Sequence, residues 1–240
     1  WCQDSKMVIN VKKCAIMRIS RQKINITPKY FLNNSEINVV QEFKYLGVNI
    51  SSKCGWQKHV ECVAGKGNQI LRFIKRNFRD CPQAVKETLF ISLVRPILEY
   101  AGCVWDPCGE GLKKDIEMVQ RRAARFVLND YERYSSVDEM LANIGWKTLE
   151  MRRRESRLCL LFKMYNGELP QLSAELNEII CQPNYVGRHD HQKKIRMVQS
   201  RLLPYHHSFF PRTIRDWNKL PQSVVDASGT TNFKELLRNL

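Results

Sequence analysis

The apolar positions of this chain change their period near residue 51. Before that point they come in short β-rich runs, at residues 7–11, 15–19, 30–32, 37–40 and 43–50, divided by turn formers such as Thr27, Pro28, Asn33 and Asn34. Asn33 and Asn34 tolerate positive φ, which predicts a hairpin between Phe31 and Ile37 with FKYLGVNI as the strand leaving it. Such a small antiparallel sheet has too few strands of its own to cover a face, so it predicts further elements upstream.

After residue 51 the spacing is helical. Val60, Val63, Gly67, Ile70, Leu71, Ile74 and Phe78 recur on one face, with Lys66, Arg72, Lys75, Arg76 and Arg79 close by. Gly65 and Gly67 would each cost about 1 kcal/mol relative to Ala inside a helix, which predicts a close backbone neighbour or a bend. A break at residues 80–82 leads into a run from Gln83 to Tyr100 that Pro96 interrupts; the missing donor predicts a kink or a new start near Arg95.

Residues 93–126, LVRPILEYAGCVWDPCGEGLKKDIEMVQRRAARF, organise the remainder as two helical runs joined by a loop rich in Gly, Pro and Trp. In the second run Ile116, Val119, Ala123, Phe126 and Val127 share a face, while Lys114, Arg121, Arg122 and Arg125 gather roughly opposite. A core stripe is therefore backed by a basic stripe, whose cations are either solvated or turned to an anion.

Ser135 or Ser136 is expected to cap a short helix with Val137, Met140 and Leu141, ending near Gly145 and Trp146. In residues 148–166 the apolar face carries Met151, Leu158, Leu161, Phe162 and Tyr165, with Arg152, Arg153, Arg157 and Lys163 mostly turned away. Leu160 and Met164 fall on that far side too, so this helix is apolar nearly all round and predicted to be central. Residues 167–203, with Pro170, Pro183, Asn184 and Gly187, read as a long, partly mobile connection. Phe209, Phe210, Ile214 and Trp217 then predict a short helix from about Pro211 to Leu220, and Asn232 with Glu235 has capping-box spacing for a last one bearing Phe233, Leu236, Leu237 and Leu240. The predicted class is α+β, mostly α, with the antiparallel hairpin region at the N-terminus.

Charge sharpens this picture. The 240 residues carry 39 Lys and Arg against 24 Asp and Glu, a formal charge of +15. That excess makes a polyanion the first partner to expect, nucleic acid ahead of an acidic membrane surface. No apolar run approaches the roughly 18 residues that span a bilayer, so no membrane partner is expected and the location expected is intracellular, cytoplasmic or nuclear. The nine cysteines include no CxxC pair, and Cys181, His189, His191, His206 and His207 match no zinc-ligand spacing, which argues against a disulfide framework or a metal site. No Walker loop, GxSxG or HExxH is present, and acidic pairs such as Asp138 with Glu139 lie on predicted helix surfaces. No catalytic residue is nominated.

Several stretches together resemble the C-terminal part of a reverse transcriptase of a non-LTR (LINE-like, jockey-type) retrotransposon. They are Lys13 with Cys14, FKYLGVNI, Trp56 with His59, LVRPILEYAGCVWDP, VQRRAARF, WKTLEMRRR and SFFPRTIRDWNKLP, in that order and across essentially the whole chain. In that family the catalytic carboxylates sit in a Y/F-A-D-D motif of an earlier palm segment, upstream of a Trp that Trp1 matches. The resemblance thus implies a chain that opens within a longer protein and lacks the acids that hold Mg.

What it implies for these residues is the end of the palm (1–51), a helical thumb-like domain (52–166) and a C-terminal extension (167–240). Phe43, Lys44, Tyr45, Leu46 and Gly47 correspond to a primer-grip-like hairpin. The implied partners are RNA and DNA as a template–primer duplex, together with the missing palm and fingers of the same polyprotein. A clamp of that kind holds phosphates without reading bases, and Arg72, Lys75, Arg76, Lys114, Arg121, Arg122 and Arg125 are its candidates. The alternative is a stand-alone basic module that binds nucleic acid or an acidic protein. Trp105 and Tyr100 could stack on bases but suit core packing better, as do Trp146 and Trp217.

Overall fold

The computed structural model describes residues 4–19, 29–169, 178–188, 190–199 and 202–240. Trp1, Thr27, Pro28, Pro170 and His189 lie outside the described residues. The chain divides into two compact units, Trp1–His59 and Val60–Leu240, with the division in the first turn of a long helix. Residues 167–240 thus belong to the same unit as the helices before them.

In the first unit the strands are β1 (Ile16–Met17), β2 (Tyr30–Leu32), β3 (Ser35–Ile37), β4 (Val39–Val40), β5 (Glu42–Tyr45) and β6 (Val48–Ser51). Among the described residues they form three separate two-stranded ladders rather than one antiparallel sheet, and the β1 to β4 ladder is parallel. Leu32 pairs with Ser35 across Asn33 and Asn34, at φ +49° and +61°, the two left-handed residues that a two-residue hairpin loop requires. The predicted strand at 7–11 does not form. Asn10 instead accepts a hydrogen bond from the Lys12 amide and caps a short 3-10 turn, Val11–Lys13.

FKYLGVNI is itself a hairpin, not the strand leaving one. Tyr45 pairs with Val48 around Leu46 and Gly47, whose φ angles are +45° and +86°. A leucine in the left-handed region is unfavourable, so the apolar alternation masked this turn from a sequence reading.

The second unit is helical: α1 (Gln57–Asn77), α2 (Gln83–Leu89), α3 (Arg95–Glu99), α4 (Gly102–Trp105), α5 (Glu110–Leu128), α6 (Val137–Asn143) and α7 (Leu149–Tyr165), then Phe209–Trp217 and Thr230–Arg238 among shorter turns. The class is mostly α with short strands at the N-terminus, as the periodicities predict. Pro96 acts as expected, but through a π turn at Phe90–Val94, where the Arg95 amide bonds to the Phe90 carbonyl five residues back. Ser136 caps α6 by accepting from the Glu139 amide, and Gly145 at φ +65° ends it as the Trp146 amide returns to the Leu141 carbonyl.

Gly67 explains itself by packing. A Cβ there would lie 2.9 Å from Leu98 Cδ2 and 3.2 Å from Val119 Cγ1, so α1 crosses α3 and α5 where it has no side chain. The close neighbours are side chains rather than backbone. Leu98 and Val119 at this crossing are buried, as are Leu71, Ile74, Phe90, Val94, Trp105 and Ile116, and Trp146 stacks on Phe90 with ring centroids 4.4 Å apart. A second cluster gathers Leu158, Leu161, Phe162, Ile195, Ile214, Trp217, Phe233 and Leu237.

α7 is central, as its near-uniform apolarity predicts, for it packs on α3, α4, α5 and both C-terminal helices. Its faces differ from the expected ones. Arg153 and Arg157 are buried, at 1% and 2% exposure, whereas Met151 is exposed. The stretch 178–199, read as a mobile connection, contributes Ile195 and His191 to the core where described. The last helix begins at Thr230 with Gly229 as its cap, so the Asn232 and Glu235 capping box does not form.

Candidate nucleic-acid interface

In the predicted basic stripe, Lys114, Arg121, Arg122 and Arg125 share one broad side of α5, and what divides them is the partner each meets: Arg122 reaches α1 through Asn68, Arg121 and Arg125 reach the α6 side. Arg125 is committed to the protein: its guanidinium donates to the carbonyls of Asp130, Glu132 and Ser135 at 3.4, 3.0 and 3.3 Å. It staples the connection from α5 to α6 and is removed from the set of cations turned to solvent. Arg121 reaches Asp138 at 3.4 Å in a largely exposed pair, a contact worth at most about 1 kcal/mol and open to competition. Lys114 is exposed, two turns before Arg122.

On the Arg122 side α1 and α5 run side by side. Gly67 meets Val119, Asn68 accepts from Arg122 Nη1 at 2.9 Å, and Lys75 Nζ lies 5.8 Å from the centre of the Phe126 ring. Arg72 and Arg76 lie in the same turns of α1 and are exposed. Lys75 is half-buried; burial first, and then the Arg122 guanidinium, hold its pKa below the usual lysine value. The two like charges therefore oppose one another across the α1–α5 contact.

A third cation was missed in the sequence. Lys86 of α2 is buried, with Nζ 4.9 Å from the centre of the Phe126 ring, and makes no ion pair among the described residues. Lysine amid Ala84, Val85 and Glu87 gives no periodic signal, so only the packing of α2 on α5 reveals it. Phe126 is thereby flanked by two ammonium groups, each in cation–π range. Tyr131, on the connection that Arg125 staples, has Lys75 Nζ at 5.8 Å from its ring centre and is exposed.

The buried arginines of α7 belong to a different assembly. Asp106 accepts from Arg153 Nε at 2.8 Å and from Arg157 Nε at 3.0 Å, and Arg212 Nη1 lies 3.1 Å from the same carboxylate. Arg157 also bonds to Thr213 at 3.2 Å and Asp216 at 3.1 Å. Burial depresses the Arg157 pKa, though Asp106 opposes it. This is a clasp between α4, α7 and the Phe209–Trp217 helix, with no open face for a ligand. It takes up Arg153 of the motif WKTLEMRRR, while Arg152 pairs with Glu99 and Arg154 stays about half exposed.

Trp105, Trp146 and Trp217 are in the core, and the Trp105 indole donates to the Tyr100 carbonyl at 2.6 Å; Tyr100 itself is exposed. In the first unit, Phe43, Lys44, Tyr45 and Leu46 are exposed along the β5–β6 hairpin. Phe43 pairs across it with Ile50, and His59 Nδ1 accepts from the Asn49 amide at 3.2 Å. This supports a ribbon whose aromatic side chains reach outward.

A cavity of about 160 Å³ lies between α7 and the last helix, lined by Arg152, Glu155, Ser156, Cys159, Lys234 and Leu237. Arg238 lines it too; Arg152 is paired with Glu99 and Glu155 with Lys147 at 2.6 Å. Burial pushes the Cys159 thiol up to about 11, which leaves it unreactive. Among the described residues no group of three or more His, Cys, Asp and Glu could hold a metal ion, and no helix is long and apolar enough to cross a membrane.

No protein-family model, curated protein or solved structure matches the chain.

Proposed function

We propose that this chain is the template–primer-holding part of a reverse transcriptase of the non-LTR retrotransposon kind, and that its own activity is to bind RNA and DNA through phosphates. The observation that carries the reading is the cationic ridge of α1 and α5: Arg72 and Arg76 are exposed on α1, Arg122 of α5 reaches across to Asn68 of α1, and Lys75 and Lys86 both lie over the Phe126 ring. A like-charge group held by packing rather than by carboxylates is stabilised by a polyanion, and contact with phosphate suits a clamp that must pass any sequence. The order of motifs from FKYLGVNI to SFFPRTIRDWNKLP supports the lineage. The exposed β5–β6 hairpin, with Phe43, Lys44, Tyr45, Leu46 and Gly47, takes the part of the primer grip in this reading. Catalysis, and the Mg it needs, belong to a palm segment outside these 240 residues.

The test is a titration of the full chain with a labelled RNA–DNA duplex at several salt concentrations. Four phosphate contacts predict a log–log slope near −3 to −4 on the scale of about −0.9 per contact. Replacing Arg72, Arg76 and Arg122 together by Ala should flatten that slope by about 2 to 3. Binding that ignores salt, or a slope unmoved by the triple replacement, refutes the ridge.

A further inference from the structure

Beside the cations of the ridge stands one aromatic ring that neither the core nor the phosphate reading uses. Tyr131 is 58% exposed, yet its position is closely set. Asn129 ends α5 in the left-handed conformation, at φ +54°, and the Asp130 amide returns to the Arg125 carbonyl at 3.0 Å. Asp130 Oδ1 then accepts from the Glu132 amide and the Ser135 hydroxyl, both at 3.0 Å, while Arg125 donates to three carbonyls of the same segment. An exposed connection so bound loses little entropy when it meets a ligand. Lys75 Nζ, equidistant at 5.8 Å from the rings of Phe126 and Tyr131, ties the tyrosine to the ridge.

We infer that Tyr131 is a stacking platform for an unpaired nucleobase, so that the ridge favours single-stranded or overhanging nucleic acid over blunt duplex. This rests on the phosphate-binding reading above and narrows its substrate class. A fully paired base has both faces covered by its neighbours and cannot reach a ring on the protein surface, whereas an unpaired one stacks on it while Lys75 and Arg122 hold the flanking phosphates. Stacking on an aromatic face tolerates every base, so the preference is for strandedness and not for sequence.

The experiment compares, by fluorescence anisotropy at one salt concentration, a thymidine tract, a tract of equal length and charge carrying abasic sites, and a blunt duplex. The thymidine tract should bind about tenfold tighter than the abasic one. Tyr131→Ala should erase that difference and Tyr131→Phe should keep it. Tyr134→Ala should leave it intact, because Tyr134 is 94% exposed and among the described residues no cation lies over its ring. A melting curve for each variant confirms that it is folded. Equal, salt-dependent binding of thymidine and abasic tracts overturns the stacking role while leaving the phosphate ridge standing. No binding to any of the three overturns both.

Discussion

Arg157 Nε and Asp106 Oδ2 lie 3.0 Å apart with both side chains buried, and through this pair the loop after α4 is joined to the middle of α7. Asp106 also meets Arg153 and Arg212, so one carboxylate answers three guanidinium groups. Nη1 and Nη2 of Arg153 are buried with no hydrogen-bond partner among the described residues, which leaves Arg153 dependent on Asp106.

Asp106→Asn keeps the volume and removes that charge, stranding buried cations. The expected loss is about 3 to 5 kcal/mol, a large part of what a domain has to spare. Asp216, which meets Arg157 Nη2 at 3.1 Å but retains 23% side-chain exposure, should cost far less when changed to Asn, about 1 kcal/mol. Urea midpoints measure both. Equal effects would mean that the Asp106 cluster is no more than a surface network.

The two glycines of α1 make a matched pair. Gly67→Ala would place a methyl 2.9 Å from Leu98 Cδ2 and 3.2 Å from Val119 Cγ1, on two fully buried side chains that would have to shift within the core. The overpacking, about 1 to 3 kcal/mol, exceeds the helix-propensity gain of about 1 kcal/mol, so the variant should be less stable. At Gly65 nothing lies within 4 Å of an added Cβ, and Gly65→Ala should stabilise by about 0.5 to 1 kcal/mol. Thermal unfolding should move the two variants in opposite directions; a shift of the same sign would refute the close crossing.

These glycines also mark how far the chain could be read from its sequence. The period of α1 and α5 located their apolar faces, since Ile116, Val119, Ala123, Phe126 and Val127 are all buried. Helical phase alone could not divide the cations. Whether a guanidinium meets solvent, a carbonyl or a carboxylate depends on what lies opposite, and so Arg125 turned out to be a staple and Arg153 and Arg157 a clasp. For α7 a signal did exist: a helix apolar nearly all round is packed on several sides, so some of its arginines, here Arg153 and Arg157, are buried with it. Lys86 had no such signal. In the first unit, alternation identified FKYLGVNI as β but overlooked the turn at Leu46 and Gly47, because leucine is a poor marker of a left-handed position.

The segment 190–195 owes its place to Trp217, and that dependence is sensitive to pH. His191 is buried at 4% exposure, with Nε2 3.1 Å from the Trp217 carbonyl and Nδ1 unpartnered among the described residues, while the Trp217 indole donates to the Lys193 carbonyl at 2.8 Å. Burial pushes the His191 pKa below its usual 6.5, with Lys194 acting in the same direction and the Trp217 carbonyl, Asp190 and Asp226 opposing. The unfolded chain therefore takes up the proton first. Stability is full above about 6.5 and is lost as pH falls from there toward the depressed folded value. The melting temperature should drop between about pH 7 and pH 5, before carboxylates such as Asp190 and Asp226, themselves held below their usual range, begin to titrate. His191→Gln can still donate to the Trp217 carbonyl but cannot ionise, so its melting temperature should be flatter over that interval. If wild type and variant fall in parallel, the buried imidazole is not the group responsible.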